Sequence, residues 1–327
     1  MSRRVGHSEL LRLLGESGRH VSGEQLSRHL GVSRTAVWKQ IAALRAAGYR
    51  IEAAPSLGYR LVGHSEQLAV EGLEAALLPG RVIGSRLVCL TETASTNTEA
   101  FRLAEQGAPE GTVVLADRQS AGKGRLGRQW VSPGGVNLYL SVVLRPDLPP
   151  YEAPQLTFLS AVAVARAIEA EQGLQPAIKW PNDLLLNGRK VAGLLNEMNA
   201  ETDRVGFVIL GIGVNLNMRS EQFPGDLRTP ATSVSLELGR PVARMAFAAR
   251  LLTALDQEYA RFLGSGFDPV REAWATRCNA YGRLVRVEQG GRLVEGAFAG
   301  IDHDGAMLLT TVDGRQERVL SGDVTVL

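Results

Sequence analysis

The N-terminal part of the chain carries the pattern that most restricts its fold: two short helices separated by a glycine turn. Ser22 is followed three residues later by Gln25, the capping-box arrangement that starts a helix. Gly31 then makes a turn, Ser33 caps the next helix, and Gly48 ends it. This spacing predicts a helix-turn-helix unit whose second helix enters the major groove of DNA.

Two further features of this unit bear on DNA binding. Residues 49–52 and 59–61 alternate like strands around a turn at 55–58, which predicts a hairpin, the wing of a winged helix-turn-helix. Residues 1–63 carry ten Lys or Arg against four Asp or Glu, whereas the remainder carries 26 against 30. A small basic unit on an acidic body is typical of a nucleic-acid-binding module. The alternative is a three-helix packing unit with a basic surface and no role in DNA binding.

The residues predicted to contact DNA lie at the start of the second helix. Arginine and lysine reach guanine edges or phosphates, and threonine can contact a base or a thymine methyl group. The predicted DNA-binding residues are Ser33, Arg34, Thr35, Trp38 and Lys39.

Composition excludes several classes of protein. Hydrophobic residues make up 45% of the chain and charged residues 21%, as in a globular protein rather than a disordered or collagen-like one. The longest apolar runs, such as residues 142–144, are too short to span a bilayer. Cys89 and Cys278 are the two cysteines, and neither lies in a metal-binding or redox spacing. We therefore expect a cytoplasmic chain with no disulfide, no structural metal and no membrane association.

The remainder of the chain predicts two more domains. Strand-like alternation and hairpin signals, including the Asn187-Gly188 dipeptide, mix with segregated helices, which favours an α+β fold over a Rossmann fold. The last 50 residues switch to short strands divided by glycine turns, which suits a small SH3-like barrel. The predicted domains are a winged helix-turn-helix (1–63), a catalytic domain (64–277) and an SH3-like domain (278–327). The predicted elements of the middle region are a linker (62–65), helices (67–78, 153–171 and 243–263) and strands (137–144 and 205–214).

A glycine-rich basic loop over residues 119–130 is the first of four segments that point to chemistry. Its glycines let the backbone approach a ligand closely. The loop suits an anionic group, above all phosphate, because backbone N–H groups and cations converge there. It matches neither the Walker pattern nor the Rossmann fingerprint. The alternative is a mobile surface loop. Its glycines and basic residues are Gly122, Lys123, Gly124, Arg125, Gly127 and Arg128, and Arg118 directly precedes it.

Three other segments contain candidate ligand-binding residues. Lys179 can act as a point charge on a phosphoryl or carboxylate oxygen, and Asp183 is a carboxylate for the magnesium side of a nucleotide, although the turn between them can be purely structural. Residues 93–97 either cap the following helix, which is the expected role, or donate to a buried polar ligand. The two glycines within residues 211–215 indicate close approach of backbone or ligand.

In this combination and order, the segments resemble those of biotin protein ligases: residues 95–97, 121–128, 179–183, 189–193 and 211–215. With its helix-turn-helix, the whole chain resembles the bifunctional bacterial form, a ligase that is also the biotin operon repressor. Lys123 differs from the best-known members, which have arginine there, so the charge is kept but the planar fork is lost. The resemblance implies a central domain related to class II aminoacyl-tRNA synthetases and a C-terminal SH3-like domain.

The resemblance also implies a reaction and partners. Biotin and ATP would form biotinyl-5′-AMP, with Mg²⁺ neutralising the anions, and biotin would then pass to a lysine of the biotin carboxyl carrier protein of acetyl-CoA carboxylase. The repressor would bind operator DNA as a homodimer when loaded with the adenylate.

Individual residues take roles from the same resemblance. Lys190 would bridge the biotin carboxylate and the α-phosphate, and Trp130 would stack on adenine. The implied catalytic residues are Lys190, Arg125 and Asp183. The implied biotin-binding residues are Ser95, Thr96, Asn97, Gln119, Lys123, Gly124, Arg125 and Lys190. The implied residues for ATP and the adenylate are Gly122, Arg128, Trp130, Lys179, Asn182, Asp183 and Asn215.

Three other functions are compatible with these motifs. A transcription factor could sense a metabolite without turning it over, in which case no pyrophosphate would be released. A lipoate ligase shares the fold class and would use lipoate in place of biotin. A ligase could also carry the N-terminal domain without any repressor role.

Overall fold

The N-terminal helices and hairpin form as the sequence predicts. The computed structural model describes residues 2–46, 48–63, 68–289 and 291–327. The capping box between Ser22 and Gln25 is present, and Gly31 takes the left-handed conformation (φ 63°) that ends a helix. The elements are α1 (Ser2–Ser17), α2 (Gly23–Leu30), α3 (Arg34–Ala46) and the antiparallel strands β1 (Arg50–Ala54) and β2 (Gly58–Gly63). Their own core includes Leu10, Leu14, Leu26, Val37, Ile41 and Leu44.

A short helix, α4 (Val70–Ala76), lies between this unit and the rest of the protein. Its Leu73 belongs to the large central core, whereas its Ala75 packs against the N-terminal core. The linker predicted from residue 62 is wrong at its start, because residues 62 and 63 still belong to the strand β2. Residues 64 and 65 of that linker, and the first residue of the helix predicted over 67–78, lie outside the described residues.

Within the described residues, seven strands form the central sheet in the order β3-β4-β5-β9-β8-β7-β6. β3 and β4 are parallel and the other neighbouring pairs are antiparallel. The α+β prediction is therefore confirmed. The strands are β3 (Arg86–Thr93), β4 (Thr112–Gln119), β5 (Leu138–Leu144), β6 (Ala177–Lys179), β7 (Asp183–Leu186), β8 (Arg189–Ala200) and β9 (Val205–Val214). The helices are α5 (Thr96–Glu105), α6 (Gln155–Glu169), α7 (Val234–Leu238), α8 (Arg244–Ser265) and α9 (Asp268–Ala275).

The central sheet is buried on both faces. Val113 and Val142 point into the core that contains α6 and α8, whereas Val114 and Val143 point into a smaller core under α5. Successive residues of a strand face opposite sides, so a strand covered on both sides is apolar throughout, as β5 is. Asn187 and Gly188 both have positive φ, the requirement of the predicted two-residue hairpin turn between β7 and β8.

The C-terminal residues form a second sheet that packs against the central region. Phe298 of this sheet and Phe158 of α6 both contact the buried ring of Trp274. Trp180 Nε1 donates to Gly305 O at 3.2 Å. The described strands are antiparallel in the order β13-β12-β11-β10-β14: β10 (Leu284–Gln289), β11 (Arg292–Ile301), β12 (Met307–Thr310), β13 (Gln316–Val319) and β14 (Asp323–Val326).

Among the described residues, no helix has the length and hydropathy that a membrane crossing requires.

Candidate ligand cavity and DNA-binding face

The helix α3 exposes the residues predicted to contact DNA. Val37, Ile41 and Leu44 face the core, and the opposite face carries the exposed residues Ser33, Arg34, Thr35, Trp38 and Lys39. Trp38 is 58% exposed to solvent, although it is a large apolar residue. Neither Arg34 nor Lys39 forms an ion pair with another described residue, so both charges are free to meet phosphates or bases.

A cavity of about 910 Å³ opens where the first turn of α5, the glycine-rich loop, the β7–β8 hairpin and the C-terminal sheet meet. Every residue predicted to bind biotin or nucleotide lines it except Gly122. Gly122 is needed for packing instead, because a Cβ there would overlap Trp130 O and crowd Ser132 Oγ. Among the described residues, the lining contains three aspartates, Asp183, Asp226 and Asp323, against seven cations: Lys123, Arg125, Arg128, Lys179, Lys190, Arg228 and Arg283. The excess of positive charge suits an anionic ligand.

One end of the cavity is a polar network around the start of α5. Gln119 Oε1 accepts from the Thr96 backbone N–H at 2.8 Å, and Thr96 Oγ1 lies 2.8 Å from Ser141 Oγ. Ser141 Oγ also lies 2.6 Å from Asn97 Oδ1. Ser95 occupies the N-cap position of α5, but its side chain makes no capping hydrogen bond, so the expected capping role is wrong for this residue. Ser95 is buried and lines the cavity.

Hydrogen bonds and an ion pair hold the glycine-rich loop in place. Gly124 N–H donates to Arg128 O at 2.7 Å, and Leu126 between them has a positive φ of 56°. Arg125 Nη1 donates to Asn182 Oδ1 at 3.2 Å, and Arg128 forms an ion pair with Asp323 of β14. Burial lowers the pKa of Arg125 from its ordinary value.

Lys190 lies on β8 and lines the cavity. Its Nζ lies 2.6 Å from Asp183 Oδ1 and 5.3 Å from the centre of the Trp130 ring. The indole packs over Gly213, where an added Cβ would lie 2.6 Å from Trp130 Nε1. Backbone hydrogen bonds to residues 230 and 232 fix the position of Lys190 along the strand.

The other predicted residues line the same cavity. Lys179 forms no ion pair with another described residue, so its charge is available to a ligand. Asn182 Nδ2 donates to Leu194 O at 2.6 Å, which holds its oxygen towards Arg125. Asn215 is buried and donates to Thr232 O at 3.1 Å, beside the backbone that fixes Lys190.

The sequence analysis missed several residues at this site. Glu197 accepts from Lys123 and Asn97, Ser141 completes the polar network, and Asp323 pairs with both Arg128 and Arg228. None of them lies in a glycine-rich or charged motif, and their partners are distant in sequence. A local pattern therefore contains no signal for them.

Carboxylates at the cavity bear on whether it can hold a divalent cation. No cluster of three or more His, Cys, Asp or Glu side chains that could hold a metal occurs among the described residues. Mg²⁺ usually binds through one or two carboxylates plus substrate phosphates. Asp183 could serve as such a single carboxylate ligand, because it lines the cavity beside Lys190.

Comparison with protein-family models gives three matches. Residues 89–215 match the biotin/lipoate A/B protein ligase family, and residues 7–60 match a helix-turn-helix domain. Residues 281–327 match the biotin protein ligase C-terminal domain.

Relatives match along nearly the whole chain. The bifunctional ligase/repressor BirA of Bacillus subtilis (strain 168) is 40% identical over 97% of both chains. The protein of the same name from Escherichia coli (strain K12) is 32% identical over 97% of this chain and 96% of its own. The structure of the Aquifex aeolicus biotin protein ligase with biotin and ATP superposes with a TM-score of 0.65 at 28% identity, over 74% of this chain and 100% of that one. The chain therefore belongs to the family of bifunctional biotin protein ligases and repressors.

Proposed function

We propose that this chain is an ATP-dependent biotin protein ligase that also acts as a biotin-responsive transcriptional repressor. It forms biotinyl-5′-AMP and transfers biotin to a lysine of the biotin carboxyl carrier protein of acetyl-CoA carboxylase. The observation that carries the ligase assignment is the placement of Lys190 next to Asp183 and Trp130, in a cavity with an excess of cations.

In the first step, a carboxylate oxygen of biotin attacks the α-phosphorus of ATP. A bond forms between them, the bond from the α-phosphorus to the oxygen shared with the β-phosphate breaks, and pyrophosphate leaves. Two anions must meet in this step, so catalysis consists mainly of holding them together and neutralising their charge. We assign Lys190 to the point where the two anions meet, so that its one ammonium contacts both.

Biotin occupies the polar end of the cavity and the nucleotide occupies the end near Trp130. The ureido ring of biotin has N–H donors and a carbonyl acceptor, which match the hydroxyl and amide groups of residues 95–97 and Gln119. The indole of Trp130 stacks on adenine, and Lys179 and Arg128 contact phosphates. Mg²⁺ brought by ATP would be held by Asp183 and would neutralise phosphate charge.

In the second step, the amine of the acceptor lysine attacks the acyl carbon of the adenylate. An amide bond forms, the mixed anhydride breaks, AMP leaves and the amine proton passes to solvent. Until then the reactive anhydride has to be kept from water. Arg125 and Lys123 of the glycine-rich loop close over the adenylate and retain it.

Pyrophosphate release tests the assignment. We expect release that requires both biotin and ATP, and none when lipoate replaces biotin. Release with lipoate and ATP, but not with biotin and ATP, would identify a lipoate ligase. No release with either acid would favour a metabolite-sensing transcription factor.

The repressor function combines the exposed face of α3 with the glycine-rich loop. A single helix-turn-helix buries little DNA surface and usually needs a two-fold partner. The adenylate orders residues 119–130 and completes a surface for a homodimer, which presents two α3 helices to a palindromic operator. Operator affinity measured with and without biotin plus ATP tests this; equal affinities would contradict the coupling and leave the ligase assignment intact.

The finer architecture belongs to the same proposal. The unit over 1–63 is of the winged class, the domain over 64–277 is related to class II aminoacyl-tRNA synthetases, and the domain over 278–327 is an SH3-like barrel. The hairpin after α3, the mixed sheet and the separate C-terminal sheet support these assignments. Limited proteolysis with mass spectrometry tests the boundaries: cleavage confined to residues near 64 and 278 is expected, and equally fast cleavage within β4–β9 would contradict them.

A further inference from the structure

We propose that Glu197 is a positioning residue for the biotin end of the cavity, an inference that rests on the ligase function proposed above. Glu197 lies on β8, outside the motifs that define the site. One carboxylate oxygen accepts from Lys123 Nζ at 3.0 Å and the other accepts from Asn97 Nδ2 at 2.7 Å. A single side chain therefore joins the glycine-rich loop to the first turn of α5.

The first task of Glu197 is to orient the Asn97 amide. Asn97 Nδ2 donates to Glu197 and also to Leu195 O at 3.2 Å. A carboxylate and a carbonyl only accept, so they fix the NH₂ group on this side and direct Asn97 Oδ1 to Ser141 Oγ. Gly211 leaves room for this arrangement, because a Cβ there would overlap Asn97 Oδ1.

The orientation of Asn97 sets the rest of the polar end. Ser141 has one hydroxyl proton, and both Asn97 Oδ1 at 2.6 Å and Thr96 Oγ1 at 2.8 Å can accept it. An Asn97 oxygen held towards Ser141 takes that proton, while the Thr96 hydroxyl donates to Gln119 Oε1 at 3.2 Å. The pattern of donors and acceptors that biotin's ureido ring meets therefore depends on Glu197 through a chain of hydrogen bonds.

The second task of Glu197 is to hold Lys123. A lysine ammonium is a compact charge on a flexible stem, whereas the guanidinium of an arginine is a rigid planar fork. Lysine at this position therefore depends more on a fixed partner to keep its charge at the cavity. The pair is partly exposed, with 43% of the Lys123 side chain and 31% of the Glu197 side chain accessible, so it contributes position rather than stability.

Two variants separate these tasks. Glu197→Ala removes both contacts, and we expect the KM for biotin to rise on the order of tenfold, because a hydrogen bond to a charged group is lost. The KM for ATP and kcat should stay within about twofold, since Lys190 and the nucleotide end are untouched. Glu197→Gln keeps an acceptor for Asn97 but removes the anion beside Lys123. That variant should keep its KM for biotin within about threefold of wild type and release more free biotinyl-AMP.

The matched control is Glu295→Gln. Its carboxylate pairs with Arg286 at 2.5 Å on the exposed face of the C-terminal sheet, away from the cavity. We expect wild-type constants and retention for it. Thermal unfolding of each variant accompanies the kinetics.

The outcomes distinguish this inference from the function on which it rests. A wild-type protein that forms no adenylate overturns the proposed function and this inference with it. An active wild type whose Glu197→Ala variant keeps its KM for biotin overturns only the role of Glu197. A fall in kcat together with a rise in the KM values for both biotin and ATP also overturns it, because that pattern indicates a structural role. If Glu197→Ala does not fold, unchanged adenylate retention in Glu197→Gln overturns the contact with Lys123.

Discussion

At the scale of single residues, the account depends most on Lys190. Its ammonium is 2.6 Å from Asp183 Oδ1 and 5.3 Å from the centre of the Trp130 ring, and a quarter of the side chain is exposed. We expect Lys190→Ala to lower the rate of adenylate formation on the order of 10²- to 10³-fold, because a charge aimed at the reacting anions is lost. Biotin-dependent pyrophosphate release measures this.

The control for that measurement is Arg204→Ala, which removes an exposed cation 3.7 Å from Asp147 and far from the cavity. It should release pyrophosphate at the wild-type rate. Near-wild-type release by Lys190→Ala would contradict the assignment of Lys190.

Arg125 controls how long the adenylate stays bound. The guanidinium donates to Asn182 Oδ1 and, at 3.4 Å, to Gly322 O, so it connects the loop to two other segments. Arg125→Gly removes both bonds and adds backbone freedom, and we expect several-fold more free biotinyl-AMP in solution. Chromatography of labelled adenylate after filtration measures the free fraction. Unchanged retention would show that Arg125 is not part of the lid.

The candidate residues could be predicted in part from the sequence. Lys190, Asp183 and the glycine-rich loop lie in motifs whose residue types suit anions, and the structure brings them into one cavity. Glu197 and Asp323 could not be predicted, because each acts on a partner that only the register of distant strands brings near. The missing capping hydrogen bond of Ser95 has the same cause. The sequence marks where the helix starts, but whether the side chain caps it depends on the surrounding tertiary structure.

At the scale of elements, the glycines of β9 set the shape of the nucleotide end. Gly213 lets the Trp130 indole lie directly on the strand. Gly213→Ala would place a methyl group 2.6 Å from Trp130 Nε1, so the ring has to move. Overpacking of this kind costs about 1–3 kcal/mol, and we expect the KM for ATP to rise roughly tenfold with little change in the KM for biotin.

Gly206→Ala is the control on the same strand. Its added Cβ would meet the end of the flexible Asn199 side chain at 3.0 Å, outside the cavity. Steady-state kinetics with ATP varied should leave this variant unchanged. If Gly213→Ala also leaves the KM for ATP unchanged, Trp130 does not stack on adenine.

The helix α3 carries the DNA-binding prediction. Arg34 is exposed at its start and has no ion-pair partner among the described residues. Arg34→Ala should weaken operator binding by about 1–3 kcal/mol and leave biotinylation of the carrier unchanged. Fluorescence anisotropy at several salt concentrations measures this, with the wild-type affinity falling steeply as salt rises. Equal affinities of the variant and wild type would exclude Arg34 from the DNA contact.

Element types and order could be predicted well where local signals are strong. The capping box at Ser22, the glycine at position 31 and the Asn187-Gly188 turn each fix a local backbone conformation, and each element forms where expected. The start of the linker was wrong because Val62 and Gly63 still belong to β2, where Gly63 pairs with Arg50 of β1. Pairing partners are set by the hairpin register rather than by local composition. The sheet order depends on packing of distant segments and had no local signal.

At the scale of the whole molecule, the N-terminal unit is packed against the rest rather than merely tethered. Ser8 Oγ donates to Glu74 Oε2 of α4 at 2.6 Å, and the buried Tyr49 hydroxyl lies so close to Gly72 that a Cβ there would overlap it. Burial raises the pKa of Tyr49 to about 12. The N-terminal unit and the catalytic domain therefore both pack against the helix α4.

Deletion of residues 1–63 tests how far the functions are separable. The ligase motifs all lie after residue 90, so we expect DNA binding to vanish and adenylate formation to persist. The apolar contacts of α4 with the N-terminal core would be exposed, which should lower the melting temperature by several degrees. Scanning calorimetry and pyrophosphate release measure the two effects. A folded truncation that forms no adenylate would show that catalysis requires the N-terminal unit.

The measurement that tests the central claim most directly is transfer of labelled biotin. The full chain is incubated with ATP, radiolabelled biotin and a biotin carboxyl carrier domain, beside the same domain with its acceptor lysine changed to arginine. The account predicts label on the wild-type carrier only, with AMP formed in equal amount and no label without ATP. Absence of label on the wild-type carrier, with enzyme and carrier both folded, would contradict it.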